Sequence, residues 1–302
     1  MSAEPAAGPV TVEGAGSVVP ALRPRYASAN IRTWIGFKQF MELAQEAVLG
    51  WFRQRGFGPR HLFHECGVGL RVLDSSVLLP AVLEVDDEVT AEVTRNGVDT
   101  FTVRLRAGGG AAAQRVLRGK VTVALVPEAA AEAGVDVPDE LRAMLGSAPE
   151  GGGRPPAPPD GFGWNWRVRY FHCHYSDVVQ HSTYVAALEE AVDRFLHEVG
   201  LSVPSVLSGR GWIPVVSRAR VTLHGDARMD EVVRTTFGVD DVVAGRAFEG
   251  RMACHVVEGG RRRMVADGTI LHGYAMTKGE RAGELAELGD EMTELLLGKG
   301  VR

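Results

Sequence analysis

Apolar residues recur along this chain at two periods, and the alternation between them happens twice. Over Gln39–Arg55 and again over Tyr184–Val199 they fall three and four positions apart, as Tyr184, Leu188, Ala191, Phe195 and Val199 do in the second stretch. That is the spacing of one buried face of an α-helix. Gly56 and Gly200 follow, where the left-handed residue that ends a helix is expected. After each helical stretch come runs in which apolar and polar residues alternate: Ser75–Val82, Asp87–Thr94, Thr100–Arg106 and Gly119–Val126, then Val215–Leu223, Glu231–Phe237, Ala247–Val257 and Met264–Tyr274. Period two predicts strands with one face buried, and Asn96-Gly97 and Gly259-Gly260 predict hairpin turns between them. A short strand carrying an Arg-x-Arg-Tyr sequence is expected before each helix.

The two halves are copies. Arg23-Pro24-Arg25-Tyr26 set above Arg167-Val168-Arg169-Tyr170 continues without a gap to Gly56 above Gly200, with seven identities in 34 positions. Among them Glu46-Ala47-Val48 meets Glu190-Ala191-Val192. Further on, Asp87-Glu88-Val89 meets Asp230-Glu231-Val232, and Phe101 with Arg104 meets Phe248 with Arg251, after small changes in offset that mark small loop changes. A period this long indicates duplication of a whole domain and not a stacked repeat. The predicted class is α+β: two tandem units, each an antiparallel sheet wrapped around one long helix. Their bounds are read as 23–127 and 164–277. Residues 1–22 form a flexible N-terminus, the Gly- and Pro-rich 128–163 a linker, and 278–302 an amphipathic C-terminal helix.

Composition narrows the function classes. Of 302 residues, 45% are hydrophobic and 24% charged, which is a globular balance. The net charge of −5 gives no footprint for a nucleic-acid backbone, so no nucleic-acid partner is expected. No uncharged apolar run is long enough to span a bilayer and no signal peptide is evident at the start, so no membrane partner is expected and a cytoplasmic location follows by elimination. The three widely spaced cysteines, Cys66, Cys173 and Cys254, are read as free thiols.

The segment before the second helix carries the chemistry. It runs His172-Cys173-His174-Tyr175-Ser176-Asp177-Val178-Val179-Gln180-His181-Ser182-Thr183-Tyr184. In length and in its final tyrosine it resembles the loop Asp-x-Asp-x-x-Gly-x6-Tyr of hotdog thioesterases of the 4-hydroxybenzoyl-CoA type. On that register His174 takes the place of the family's catalytic Asp, Asp177 the place of its glycine, and Glu189 the place of a frequent helix acid. The resemblance implies a double hotdog acting on an acyl thioester of CoA or of an acyl carrier protein, with hydrolysis as the leading reaction. Dehydration, hydration or cyclisation of a carrier-bound chain, and thioester binding without catalysis, are the competing readings, because this fold hosts all of them.

Hydrolysis needs a group that activates water and donors that hold the oxyanion. Histidine titrates near neutral pH, and a carboxylate on one ring nitrogen orients it. His174, His181 and Asp177, with Asp177 paired to either imidazole, are therefore expected to be catalytic, with Glu189 as a further acid. Backbone amides at the start of the second helix are the expected oxyanion donors. Ser182 and Tyr184 are expected to contribute hydroxyls toward the substrate, Asn30 and Arg32 to serve from the first copy's loop, and Glu46 from its helix. The first loop, Ala27–Gly36, has no His, Asp or Glu, so one equipped site is expected, built on the second loop and completed by the first copy's helix. His172-Cys173-His174 lacks a second ligand pair at a standard metal spacing, so no metal and no cofactor are expected. Two pseudo-symmetric copies resemble a two-fold dimer fused into one chain, and further pairing into a homo-oligomer is compatible with the pattern.

Overall fold

The structure, a computed structural model, describes residues 17–31, 33–109, 113–132, 134–146, 162–259 and 261–298. The first unit runs β1 (Ser17–Leu22), a 3-10 turn (Tyr26–Ser28), α1 (Phe37–Gln54), α2 (Pro59–His64), β2 (Val68–Leu78), β3 (Val89–Asn96), β4 (Thr100–Ala107), β5 (Gln114–Pro127) and α3 (Asp139–Arg142). The second runs β6 (Phe162–Arg167), a 3-10 turn (Tyr170–His172), α4 (His181–Glu198), α5 (Val203–Arg210), β7 (Trp212–Leu223), β8 (Val232–Val243), β9 (Ala247–Glu258), β10 (Arg261–Met276) and α6 (Gly289–Leu296). All ten strands form one antiparallel sheet in the order β1-β3-β4-β5-β2-β7-β10-β9-β8-β6. Reading outward from the β2–β7 seam gives the same succession of strands on both sides, so a pseudo-two-fold passes through that seam. There Asp74 to Leu78 pair with Thr222 to Arg218.

The helices end as their glycines require. Gly56 and Gly200 have φ of 84° and 80°, a region that side-chain-bearing residues avoid. Behind them the amide of Phe57 donates to the carbonyl of Phe52 at 2.9 Å, and that of Leu201 to Leu196 at 2.7 Å, closing the same Schellman turn in both copies. α1 buries Phe40, Met41, Ala44, Val48 and Phe52, and α4 buries Tyr184, Leu188, Ala191, Phe195 and Leu196. Phe52 meets Phe101 of β4 at 5.7 Å between ring centroids, and Phe195 meets Phe237 of β8 at 5.4 Å. Each such side chain withdrawn from water contributes roughly 1.5–3 kcal/mol, so one helix face on each half-sheet makes the core.

Four expectations need correction. The Arg-x-Arg-Tyr sequences lie just beyond β1 and across the end of β6, and their tyrosines open the 3-10 turns. The strand expected at Ser75–Val82 begins at Val68 and stops at Leu78. Its first half is buried or half-buried on both faces, so the alternation that marks a one-sided strand is missing, and Pro80 has no amide to extend the ladder. The C-terminal helix is shorter than expected, Gly289–Leu296, and before it Leu285 bridges back to Ala275. Within the N-terminal stretch, 17–22 pair with β3 as an edge strand.

Candidate active site

A cavity of about 100 Å³ opens where the two units meet. Its walls come from α1 (Gln45, Val48), β2 (Leu70, Arg71), the loop ahead of α4 (His174, Tyr175, Val179), the first turn of α4 (His181, Ser182) and the end of β7 with Asp226 beyond it. The loop that carries His174 is shaped by bonds that recur 144 positions earlier. His174 N–H donates to Val178 O as Asn30 N–H does to Trp34 O, and Val179 N–H to Ala227 O as Ile35 N–H does to Leu83 O. Both copies therefore build the same loop, and only the side chains on it differ.

α4 begins at this cavity without a side-chain cap. The amide of Thr183 turns back to Gln180 O, but among the described residues the amides of His181 and Ser182 have no acceptor. Two open N–H groups at the positive end of an eighteen-residue helix form a place for a negative oxygen.

The two histidines on the cavity wall differ in kind. His181 is buried, and both ring nitrogens are committed. Nε2 lies 3.1 Å from the carbonyl of Val221, which can only accept, so Nε2 carries the proton. Nδ1 then accepts from the Gln45 amide at 3.1 Å, and Ser75 Oγ stands 3.4 Å from Nε2. Burial lowers its pKa to about 4, which keeps it neutral. His181 thus ties α4 to α1 and β2 of the other unit. His174 is by contrast exposed at the loop surface; its ring has no hydrogen-bond partner among the described residues, and partial desolvation by the surrounding chain lowers its pKa. It is a free-base imidazole at neutral pH with a nitrogen available to the cavity.

Charge enters through residues that periodicity did not single out. Arg71 Nη1 lies 3.2 Å from Asp226 Oδ1, and its Nη2 lies 3.2 Å from Glu128 Oε1, with Glu128 buried. Gly69 makes room for this triad, because a Cβ there would stand 2.5 Å from Glu128 Oε1. An arginine inside the apolar run Val68–Leu73 was the available sequence signal for Arg71; its partners lie 57 and 155 positions away.

The remaining predicted residues lie elsewhere. Asp177 does not pair with either histidine: its carboxylate binds Arg228 at 2.8 Å, outside the cavity wall. The first copy places Thr33 and Glu84 at the same two positions, also hydrogen-bonded, so this contact pins the loop in both units. Glu46 pairs with Arg53 on the outer side of α1. Glu189 occupies on α4 the position Gln45 has on α1, and faces the start of α1, where Phe37 stands in place of His181. Burial raises its pKa, and the charge of Lys38 opposes that rise. Tyr184 is buried in the core with its hydroxyl unpartnered. Asn30 belongs to the first copy's loop, and Arg32 lies outside the described residues. His172 accepts the Arg169 amide at 2.9 Å, a local turn contact. Of these residues Ser182 does line the cavity wall, where Gln45 lines it from α1.

Residues 167–295 match the Thioesterase-like superfamily. The fold is similar to a 12:0-ACP thioesterase from Umbellularia californica, with a TM-score of 0.59 and 14% identity over 85% of this chain and 94% of that one. It is also similar to an acyl-ACP thioesterase from Bacteroides thetaiotaomicron, with a TM-score of 0.55 and 9% identity over 85% of this chain and 97% of that one. No curated protein sequence matches the chain. The double hotdog architecture read from the sequence is borne out, and the resemblance to the Thioesterase-like superfamily falls on the second unit.

Proposed function

We propose that this double hotdog chain hydrolyses an acyl thioester, carried on CoA or on an acyl carrier protein, in the cavity at the N-terminus of α4. One observation carries the reading: a free-base imidazole, His174, and two open helix amides, those of His181 and Ser182, border the same cavity. His174 takes a proton from water as the oxygen attacks the thioester carbon. The carbonyl oxygen becomes an oxyanion, held by the two amides and the helix dipole, where one donor is worth about 10²–10³ in rate. Collapse breaks the C–S bond, and the imidazolium returns its proton to the departing thiolate, leaving a carboxylic acid and a thiol. Asp177 acts as a loop pin, and His181 as the tie that holds the amides in place.

The free thiols and the lack, among the described residues, of any helix long and apolar enough to cross a membrane support a cytoplasmic setting. Thiol release by the purified protein across short, long and aromatic acyl-CoA and acyl-carrier substrates tests the reaction. Release that falls about a hundredfold in folded His174→Ala is the expected result. Loss of one water from an intact thioester, or no change in any substrate, would replace hydrolysis with proton transfer at carbon or with binding.

A further inference from the structure

Tyr175, next to His174, has φ of 56°, a left-handed backbone that an aromatic residue avoids. The amide of Ser176 donates to His174 O at 2.5 Å across it, closing a tight three-residue turn on the residue that carries the imidazole. Such a turn persists only where something outside it holds it. The Tyr175 ring lies flat on Phe63 of α2, with centroids 5.6 Å apart and planes 18° from parallel, and it meets the His174 ring edge-on at 5.7 Å. Phe63 is not on the cavity wall, whereas Tyr175 and His174 are. α2 is anchored in turn by fully buried Leu62 and lies against β2.

The first copy supplies the control. Ile31 stands at the position of Tyr175, is 43% exposed and has no positive φ, and Leu207 of α5 stands at the position of Phe63. The strained turn and the stack occur together, and only on the side where the loop carries a histidine.

We propose that Phe63 is a positioning residue for His174: stacked on Tyr175 from the other unit, it holds the strained turn and so fixes the imidazole against the open amides of α4. This rests on His174 being the base.

The test compares Phe63→Ala, Tyr175→Gly and Phe63→Tyr with the unaltered chain on one short acyl thioester. Phe63→Ala and Tyr175→Gly are expected to lower kcat about tenfold or more, a loss of order 1.4 kcal/mol in transition-state stabilisation, with KM nearly unchanged. Glycine accepts the left-handed backbone, so Tyr175→Gly removes the ring without obstructing the fold. Phe63→Tyr keeps both rings and is expected to retain the rate. Hydrogen exchange over 172–178, measured in the same proteins, should rise in Phe63→Ala and Tyr175→Gly and not in Phe63→Tyr. Unchanged kcat in Phe63→Ala, or a loss that Phe63→Tyr shares, would overturn the proposal. If the unaltered chain hydrolyses nothing, the reading of the site fails, and unaltered exchange in Phe63→Ala would separately refute the clamp.

Discussion

Gln45 and His181 face each other across the two units, amide nitrogen to Nδ1 at 3.1 Å, with the imidazole buried between α1, β2 and β7. Because Nε2 donates to Val221, the Gln45 amide is the donor that Nδ1 needs. Gln45→Leu is predicted to leave a buried acceptor unpaired and to cost about 1–3 kcal/mol. The urea midpoint at neutral pH measures this; an unchanged midpoint would show that solvent reaches the ring.

The same histidine makes stability depend on pH. Folding lowers the His181 pKa from 6.5 to about 4, and that of the buried His272, packed against Phe248, to about 3. Each is neutral when folded and gains a proton more readily when unfolded. The unfolded state therefore binds more protons below pH 6.5, and stability falls with falling pH from there toward 4. The loss at each site is on the order of a few kcal/mol. Denaturation curves at pH 7, 6, 5 and 4 should show it, and His181→Gln should flatten the slope.

Asp177 and His174 should separate in kinetics. The Asp177 carboxylate is half-exposed and bound to Arg228, an ion pair of the kind worth about 1 kcal/mol or less. Asp177→Asn is predicted to keep the rate within about threefold, well short of the 10²–10⁴ that a catalytic proton transfer supplies. His174→Ala is predicted to lose about a hundredfold. Because partial desolvation lowers the His174 pKa, the acid limb of kcat/KM should lie below the ordinary imidazole value. A deep loss in Asp177→Asn would restore the acid to the mechanism.

What the sequence disclosed was local. The helices, their glycine ends and the 144-residue offset are written in neighbouring residues, and the loop bonds of Asn30 and His174 recur at that offset. The partner of Asp177 was not legible, because Arg228 arrives from 51 positions away on a turn whose geometry the loop itself does not encode. The pairing of Asp177 with a histidine followed from residue type; the structure prefers arginine because the loop directs that side chain outward. The role of His181 is hidden from the sequence for a related reason. A histidine in a polar loop reads as chemistry, while the carbonyl of Val221 and the amide of Gln45 that occupy its nitrogens belong to distant elements.

The triad of Arg71, Glu128 and Asp226 predicts a strong effect from a small change. Glu128→Ala leaves Arg71 paired to Asp226 alone, and the lost charge-assisted hydrogen bond is predicted to cost about 1.5–3 kcal/mol. Gly69→Ala is predicted to act in the same direction by displacing the Glu128 carboxylate. Thermal unfolding of the two variants and of Asp226→Asn would rank the partners, and a Glu128→Ala protein as stable as the unaltered chain would place the Arg71 charge in water.

The seam between β2 and β7 changes what the molecule presents to its neighbours. One five-stranded unit alone would offer two unpaired strand borders to other chains, and two separate units would offer four. Joined along β2 and β7 they offer two, and each is a six-residue strand, β1 or β6. Short borders give little template for sheet extension. Duplication thus doubled the folded mass while leaving its adhesive perimeter that of a single unit, and it made each half the guard of the other's longest exposed backbone.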